Sequence, residues 1–111
     1  MNYDQYQYPM PEEKKVRVIT DTDAANEGDD QFAIVHTLLS SKFENVAMIA
    51  AHFGTRHDHT MQESYEELER IVGKMGMAPA GVVLHGAPHA LPDENTPVDS
   101  EGARKIIEEA M

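Results

Sequence analysis

The fold of this chain is decided by one stretch near its N-terminus, Val16-Arg17-Val18-Ile19-Thr20 followed by Asp21-Thr22-Asp23-Ala24-Ala25-Asn26-Glu27-Gly28-Asp29-Asp30. The first part is a short apolar run rich in β-branched residues, which predicts a buried parallel strand. The second part contains five acids in ten residues, and carboxylates at that density repel one another unless a cation, a shared proton or full solvation relieves them. Because open α/β sheets bind ligands at the carboxyl ends of their strands, we expect these acids to hold a hard divalent cation.

Helices and strands alternate along the rest of the chain. The apolar pattern predicts a helix over 29–41, a strand over 46–51, a helix from Met61 to Met75 that Gly76 ends, a strand over 81–85, and a last helix capped by Asp99 or Ser100. The first of these helices is apolar around most of its circumference, so it is predicted to be largely buried, with His36 as a core or interface residue. This order predicts an α/β fold with a Rossmann-like parallel sheet and right-handed crossovers.

The predicted elements divide the chain into a tail and one domain. Residues 1–15 are polar, with several tyrosines and with Pro9 and Pro11, and they predict a mobile tail without regular structure. Residues 16–111 form the α/β domain, which looks unfinished because three strands do not close a sheet and the sequence ends inside the last predicted helix. An unfinished sheet exposes an apolar edge, so we expect a homo-oligomer.

Composition narrows the classes of partner. The 111 residues have a formal net charge of −11, which argues against binding to nucleic acid or to an anionic membrane. The sequence has no cysteine, which excludes disulfides, thiolate metal sites and cysteine nucleophiles. No apolar run reaches transmembrane length and no signal-peptide pattern begins the sequence, so a cytoplasmic location is expected.

The spacing of the acids suggests a division of roles. Asp21 and Asp23 are two residues apart on an extended chain and are expected to point to the same side. Asp29 and Asp30 fall in the first turn of a helix, where adjacent side chains diverge by roughly 100°. One of them can therefore bind a metal while the other acts on a water, which suits metal-assisted hydrolysis. Oxygen ligands without cysteine favour Ca²⁺ or Mg²⁺ over zinc.

The acidic stretch has three other interpretations. An EF-hand loop starting at Asp21 would require ligands and glycine where Ala25, Asn26 and Phe32 stand, so the EF-hand is excluded. A haloacid-dehalogenase-type phosphatase also begins with a strand and Asp-x-Asp, and it would use Asp21 as a phosphoryl-accepting nucleophile. The last alternative is a solvated acidic loop that caps a helix.

The same residues resemble a known family. A strand, Asp21-Thr22-Asp23, a spacer, Asp29-Asp30 and an apolar helix are similar to the N-terminal signature of the inosine-uridine nucleoside hydrolases, here in a divergent branch. The similarity continues through Val83-Leu84-His85-Gly86-Ala87 and the segment from Asp99 to Met111. It spans Val16 to Met111 and implies the N-terminal part of a larger nucleoside-hydrolase-like domain, of which it covers about the front third.

This resemblance implies an activity and a set of site residues. The family hydrolyses the N-glycosidic bond of ribonucleosides with one bound Ca²⁺. Carried over, Asp23 and Asp30 are calcium ligands, Asp29 is the base that activates water, and Asp21 supports the metal site. Substrate contacts are expected from Asn26 and Glu27, which lie in an insertion of two residues, and from Thr55, which stands near the family's ribose-binding asparagine. The family's other ligands lie in later segments, so the alternative is a non-catalytic fragment that self-associates or binds a partner.

The histidines after the second predicted strand are further candidates. His52 lies nearest the strand end and is expected to contact the sugar or donate a proton to the leaving base. His57 and His59 together with an aspartate would suit zinc, although a histidine-rich loop is more often simply polar and exposed. His85 ends the third predicted strand and is a further candidate for the pocket.

Overall fold

The computed structural model describes residues 9–55 and 58–111. Its elements are a short 3₁₀ helix (Glu12–Lys14), β1 (Val16–Thr22), α1 (Asp29–Leu39), β2 (Phe43–Ala50), α2 (Thr60–Lys74), β3 (Val83–His85) and α3 (Glu101–Ala110). The three strands form a parallel sheet in the order β1-β2-β3. The predicted α/β class with a Rossmann-like parallel sheet is confirmed.

The strands differ from their predicted bounds in one way that matters for the site. β1 continues to Thr22, so Asp21 belongs to the strand itself and pairs with Ile49 of β2. β2 begins earlier than predicted, at Phe43, and β3 is shorter, from Val83 to His85. The acidic loop proper therefore begins at Asp23.

Helices cover both faces of the sheet. On one face α1 and α2 enclose the main core, whose buried members are Ala24, Ile34, Leu38, Met48, Ala50, Leu68, Ile71, Val72 and Val83. On the other face α3 lies against β2 through Gly102, where an added Cβ would stand 2.5 Å from Ile49 Cγ2. Only glycine permits this close approach of helix and sheet.

The prediction that the first helix is largely buried is wrong. α1 ends at Leu39 rather than Ser41, and of its residues only Ile34 and Leu38 are buried. Phe32 is 80% exposed and His36 is exposed as well. One face of α1 packs on the sheet, and among the described residues nothing covers the opposite face.

The predicted helix ends agree better with the structure. Gly76 follows α2 with φ +78°, a left-handed conformation that glycine adopts without strain. Ser100 is the cap of α3, where its side chain accepts a hydrogen bond of 3.1 Å from the Ala103 N–H. The 3₁₀ helix over Glu12–Lys14 corrects the expectation that 1–15 lacks regular structure; Pro11 precedes it, and the fixed φ of proline suits a helix start.

Two further predictions concern the tail and membranes. The tyrosines at the beginning of the tail lie outside the described residues.

Among the helices of residues 9–55 and 58–111, none is both long enough and apolar enough to cross a membrane.

Candidate functional site

Several predicted site residues lie at the edge of the sheet where all three parallel strands end. Asp21 and Thr22 complete β1, His52 follows β2 by two residues, and Gly86 follows β3. The Gly86 N–H donates a 3.0 Å hydrogen bond to the Ala50 carbonyl, which holds the ends of β2 and β3 together. This edge is where parallel sheets bind ligands.

Asp23 and Asp30, the two predicted calcium ligands, lie side by side at this edge. Asp23 follows β1 and Asp30 stands in the first turn of α1; both are half-buried. Burial raises the pKa of Asp30, and the hydrogen bond to Asp23 and the charges of Asp23, Asp29 and Glu27 raise it further. The raised pKa follows because nothing in this group compensates the negative charge.

The loop between the two aspartates is folded around Asp23. The Asn26 N–H donates to the Asp23 carbonyl at 2.9 Å, and Asn26 Nδ2 donates to Asp23 Oδ2 at 3.1 Å. Asn26 Oδ1 and Thr22 Oγ1 are buried without a hydrogen-bond partner among the described residues. Of these two, Asn26 Oδ1 belongs to a side chain bonded to Asp23, and an amide oxygen beside carboxylates is a donor that suits a hard cation.

Gln31 fixes this loop to the rest of the domain. Its Nε2 donates to the Ala24 carbonyl at 3.1 Å and to Glu67 Oε1 of α2 at 3.2 Å. Glu67 is bound in turn by Arg70, and these bonds lower the Glu67 pKa. Gln31 and Glu67 are 36 positions apart in the sequence, so local pattern does not predict this contact.

Asp29 and Glu27 stand beside the pair but outside its hydrogen bonds. Both are exposed, and both act on Asp30 through their charge. Asp29 precedes Asp30 in the first turn of α1, so its carboxylate points in a different direction. That arrangement leaves Asp29 free to act on a water or a substrate.

Asp21 occupies a different position from Asp23. It lines a cavity of about 300 Å³ between the end of the sheet and the start of α3, together with His52, Gly86 and Ser100. Asp23 is not part of this lining. Across residues 9–55 and 58–111, no group of three or more histidine, aspartate and glutamate side chains is close enough to hold a metal ion. The carboxylates brought together are therefore Asp23 and Asp30.

His52 connects two cavities. Its Nδ1 accepts a 3.2 Å hydrogen bond from the Gly54 N–H, which assigns the ring proton to Nε2. His52 lines the cavity of about 300 Å³ and also a second one of about 190 Å³, which Thr55, His59 and His89 line as well. Of the histidines proposed for zinc, His57 lies outside the described residues.

His85 and Glu101 form a contact that sequence reasoning did not identify. The Tyr65 ring stacks on the His85 ring with centroids 3.8 Å apart. Glu101 Oε2 lies 3.0 Å from both the backbone nitrogen and Nδ1 of His85, and these bonds lower the Glu101 pKa. His85 lines neither cavity described above. The acid directly after the Ser100 cap was the available signal, but its partner could not be predicted from the sequence.

Comparison of this chain with protein-family models, with curated proteins and with solved structures finds no match.

Proposed function

We propose that this chain supplies the metal-binding aspartates and the catalytic base of a calcium-dependent N-ribosyl hydrolase. The substrate is a ribonucleoside or a related ribosyl compound, and the resemblance to nucleoside hydrolases motivates that choice. The observation that supports the proposal is the contact between Asp23 and Asp30, two carboxylates 7 positions apart. Burial raises the Asp30 pKa most, and the hydrogen bond to Asp23 and repulsion by its charge raise it further. A cation between them would remove that repulsion.

The residues around the Asp23–Asp30 pair carry the oxygen atoms that calcium prefers as ligands. Ca²⁺ binds six to eight oxygens, and carboxylate and amide oxygens are among its usual ligands. Asp23 and Asp30 would hold it, with Asn26 Oδ1 as a neighbouring donor, while Asp21, predicted to support the metal site, lines a different cavity. Bound calcium would orient ribose hydroxyls and lower the pKa of an attacking water. Two carboxylates do not complete such a shell, so further oxygens come from substrate, water or another segment.

The remaining candidates have roles that follow from their positions. Asp29 takes the proton of the attacking water, because it is exposed and directed away from the pair. The negative charges of the loop stabilise the positive charge that develops on the ribose ring in glycoside hydrolysis. His52 offers an Nε2–H to the sugar or the leaving base. Glu27 and Thr55 are the proposed contacts to the remaining sugar hydroxyls.

Calcium binding tests the proposal directly. Titration calorimetry should detect Ca²⁺ binding by the wild-type chain and its loss in Asp30→Asn, with Glu13→Gln as the matched control because Glu13 is an exposed acid on the 3₁₀ helix. If calcium binds, release of free base from nucleosides should fall about 100-fold or more in Asp29→Asn, the effect expected for a general base. No calcium binding by the wild type, or full activity in Asp29→Asn, would refute the assignment.

The position of Asp21 supports a second candidate. Asp21 is exposed in a cavity beside His52 and Ser100, where a phosphoryl-accepting nucleophile of the haloacid-dehalogenase type would require access. That candidate predicts a Mg²⁺-dependent phosphatase activity that Asp21→Asn abolishes and Asp29→Asn leaves intact. A chain that shows neither activity would support the third alternative, a non-catalytic fragment.

A further inference from the structure

The outer edge of β1 is an open pairing surface. β1 is seven residues long, contains no proline and is hydrogen-bonded to β2 on one side; among the described residues, no strand pairs with its other side. The opposite edge of the sheet is protected, since β3 has only three residues and stands between Pro79 and Pro88. A long unprotected edge strand is a template for another chain.

The backbone groups that face outward can be identified from the existing bonds. The Val16 N–H donates to Lys42 and the Thr22 carbonyl accepts from Ala51, so the even-numbered residues of β1 point their backbone groups toward β2. Successive residues of a strand direct these groups to opposite sides. The N–H and carbonyl groups of Arg17, Ile19 and Asp21 therefore point away from the sheet.

The side chains of these three residues share the face of the sheet that α3 covers. Arg17 and Ile19 line a cavity of about 310 Å³ with Ile106, and Asp21 lines the neighbouring cavity with the same isoleucine. Ile106 is 45% exposed. Arg17 binds Glu109 of α3 through Nη1, while its side chain stays 62% exposed. The edge thus presents, in order, a cation, an apolar residue and an anion at alternate positions.

The order Arg17, Ile19, Asp21 is complementary to itself when a second copy of the strand runs in the opposite direction. We propose that a second copy of this chain pairs with β1 in antiparallel orientation, with Ile19 opposite the partner's Ile19 and Arg17 opposite the partner's Asp21. This register matches the outward-facing backbone groups of both copies and produces one continuous sheet of six strands. Each chain has a net charge of −11, which opposes association, and this register offsets part of that repulsion because it pairs Arg17 with the partner's Asp21.

The pairing adds a residue to the cavity at the strand ends. Asp21 lines the cavity that also contains His52 and Ser100. In the dimer the partner's Arg17 stands at the mouth of this cavity, so each copy contributes a cation to the other. The inference rests on the edge and does not depend on the proposed function.

Charge reversal tests the register. Sedimentation velocity should find a dimer for the wild-type chain, and Arg17→Glu should convert it to a monomer because two carboxylates then face each other in each pair. The double variant Arg17→Asp/Asp21→Arg restores opposite charges and should restore the dimer. Glu109→Gln is the matched control, since it removes only the intrachain partner of Arg17, and it should remain dimeric.

A backbone variant separates the edge from side-chain effects. Ile19→Pro removes an outward N–H that no described residue uses, so the sheet should stay folded by circular dichroism while the dimer is lost. A wild-type chain that is monomeric up to its solubility limit would overturn the proposal. So would a dimer that survives both Arg17→Glu and Ile19→Pro, because it must use another surface.

Discussion

Two carboxylates stand in the first turn of a helix at the same edge of the sheet, yet their surroundings differ completely. Asp30 in α1 faces three other acids, and burial and repulsion raise its pKa. Glu101 in α3 binds the backbone N–H and the ring of His85, and these bonds lower its pKa. A helix N-terminus favours negative charge in both cases. The neighbouring residues therefore decide the role of each carboxylate. Glu101 stabilises the fold, and we propose that Asp30 binds a ligand.

Addition of calcium should have the largest effect on the free energy of unfolding, and this effect should depend on Asp30 but not on Glu101. If the Asp23–Asp30 pair binds the ion, calcium at about 100 times its dissociation constant raises the free energy of unfolding by about 2.7 kcal/mol. The midpoint of urea denaturation should rise with calcium in the wild type and in Glu101→Gln, but not in Asp30→Asn. An equal response in all three chains would locate the ion elsewhere.

Gly102→Ala should disturb the packing of α3, the helix that carries Glu101, without changing any charge. The new Cβ would stand 2.5 Å from Ile49 Cγ2, so α3 must move away from β2. Overpacking of this kind costs about 2 kcal/mol in the free energy of unfolding. Gly28→Ala at the start of α1 is the control, because no atom lies within 4 Å of the Cβ it would add. Equal denaturation midpoints for the two variants would contradict the tight contact between α3 and the sheet.

Removal of the Glu101 charge should have a smaller, pH-dependent effect. The side chains of Glu101 and His85 are partly exposed, so Glu101→Gln should cost about 0.5 kcal/mol at neutral pH. Because the folded-state pKa is lowered from 4.5, this contribution is present above pH 4.5 and disappears as the pH falls through the folded value. Denaturation measured from pH 7 to pH 3 should show the wild type and variant converging in acid.

Asp30→Asn should act in the opposite direction, with an effect of similar small size. The folded-state pKa is raised from 3.8, so the ionised group destabilises the fold at neutral pH, and this cost disappears as the pH falls below 3.8. Without calcium the variant should be more stable than the wild type by about 0.5 kcal/mol at pH 7. Destabilisation by this substitution would mean that Asp30 has a structural partner after all.

The local pattern of apolar, capping and turn residues predicted much of the fold, because helices and strands depend on residues close in sequence. The apolar run at Val18 predicted β1, Gly76 predicted the end of α2, and Ser100 predicted the cap of α3. The exposure of Phe32 was not predictable, since periodicity shows which residues are apolar but not which faces find a neighbour.

The candidate site shows the same limit. The pairing of Asp23 with Asp30 across one loop was implied by the family resemblance, whereas spacing alone placed Asp21 and Asp23 on one side and left open which of Asp29 and Asp30 binds a metal. The separate position of Asp21 depends on where β1 ends, and the His85–Glu101 contact joins residues 16 positions apart across a loop of irregular structure. Contacts between elements require the packed domain, and neither hydropathy nor spacing encodes them.

The bond from Gln31 to Glu67 affects how the acidic loop can move. Gln31 follows Asp30 directly and ties the start of α1 to α2 as well as to the Ala24 carbonyl. A cation that pulls Asp30 toward Asp23 must shift or tighten Gln31 too, so ordering at the loop would extend into the middle of α2. Amide hydrogen exchange around Glu67 should then slow on ligand binding, although that helix contributes no atom to the acidic pair.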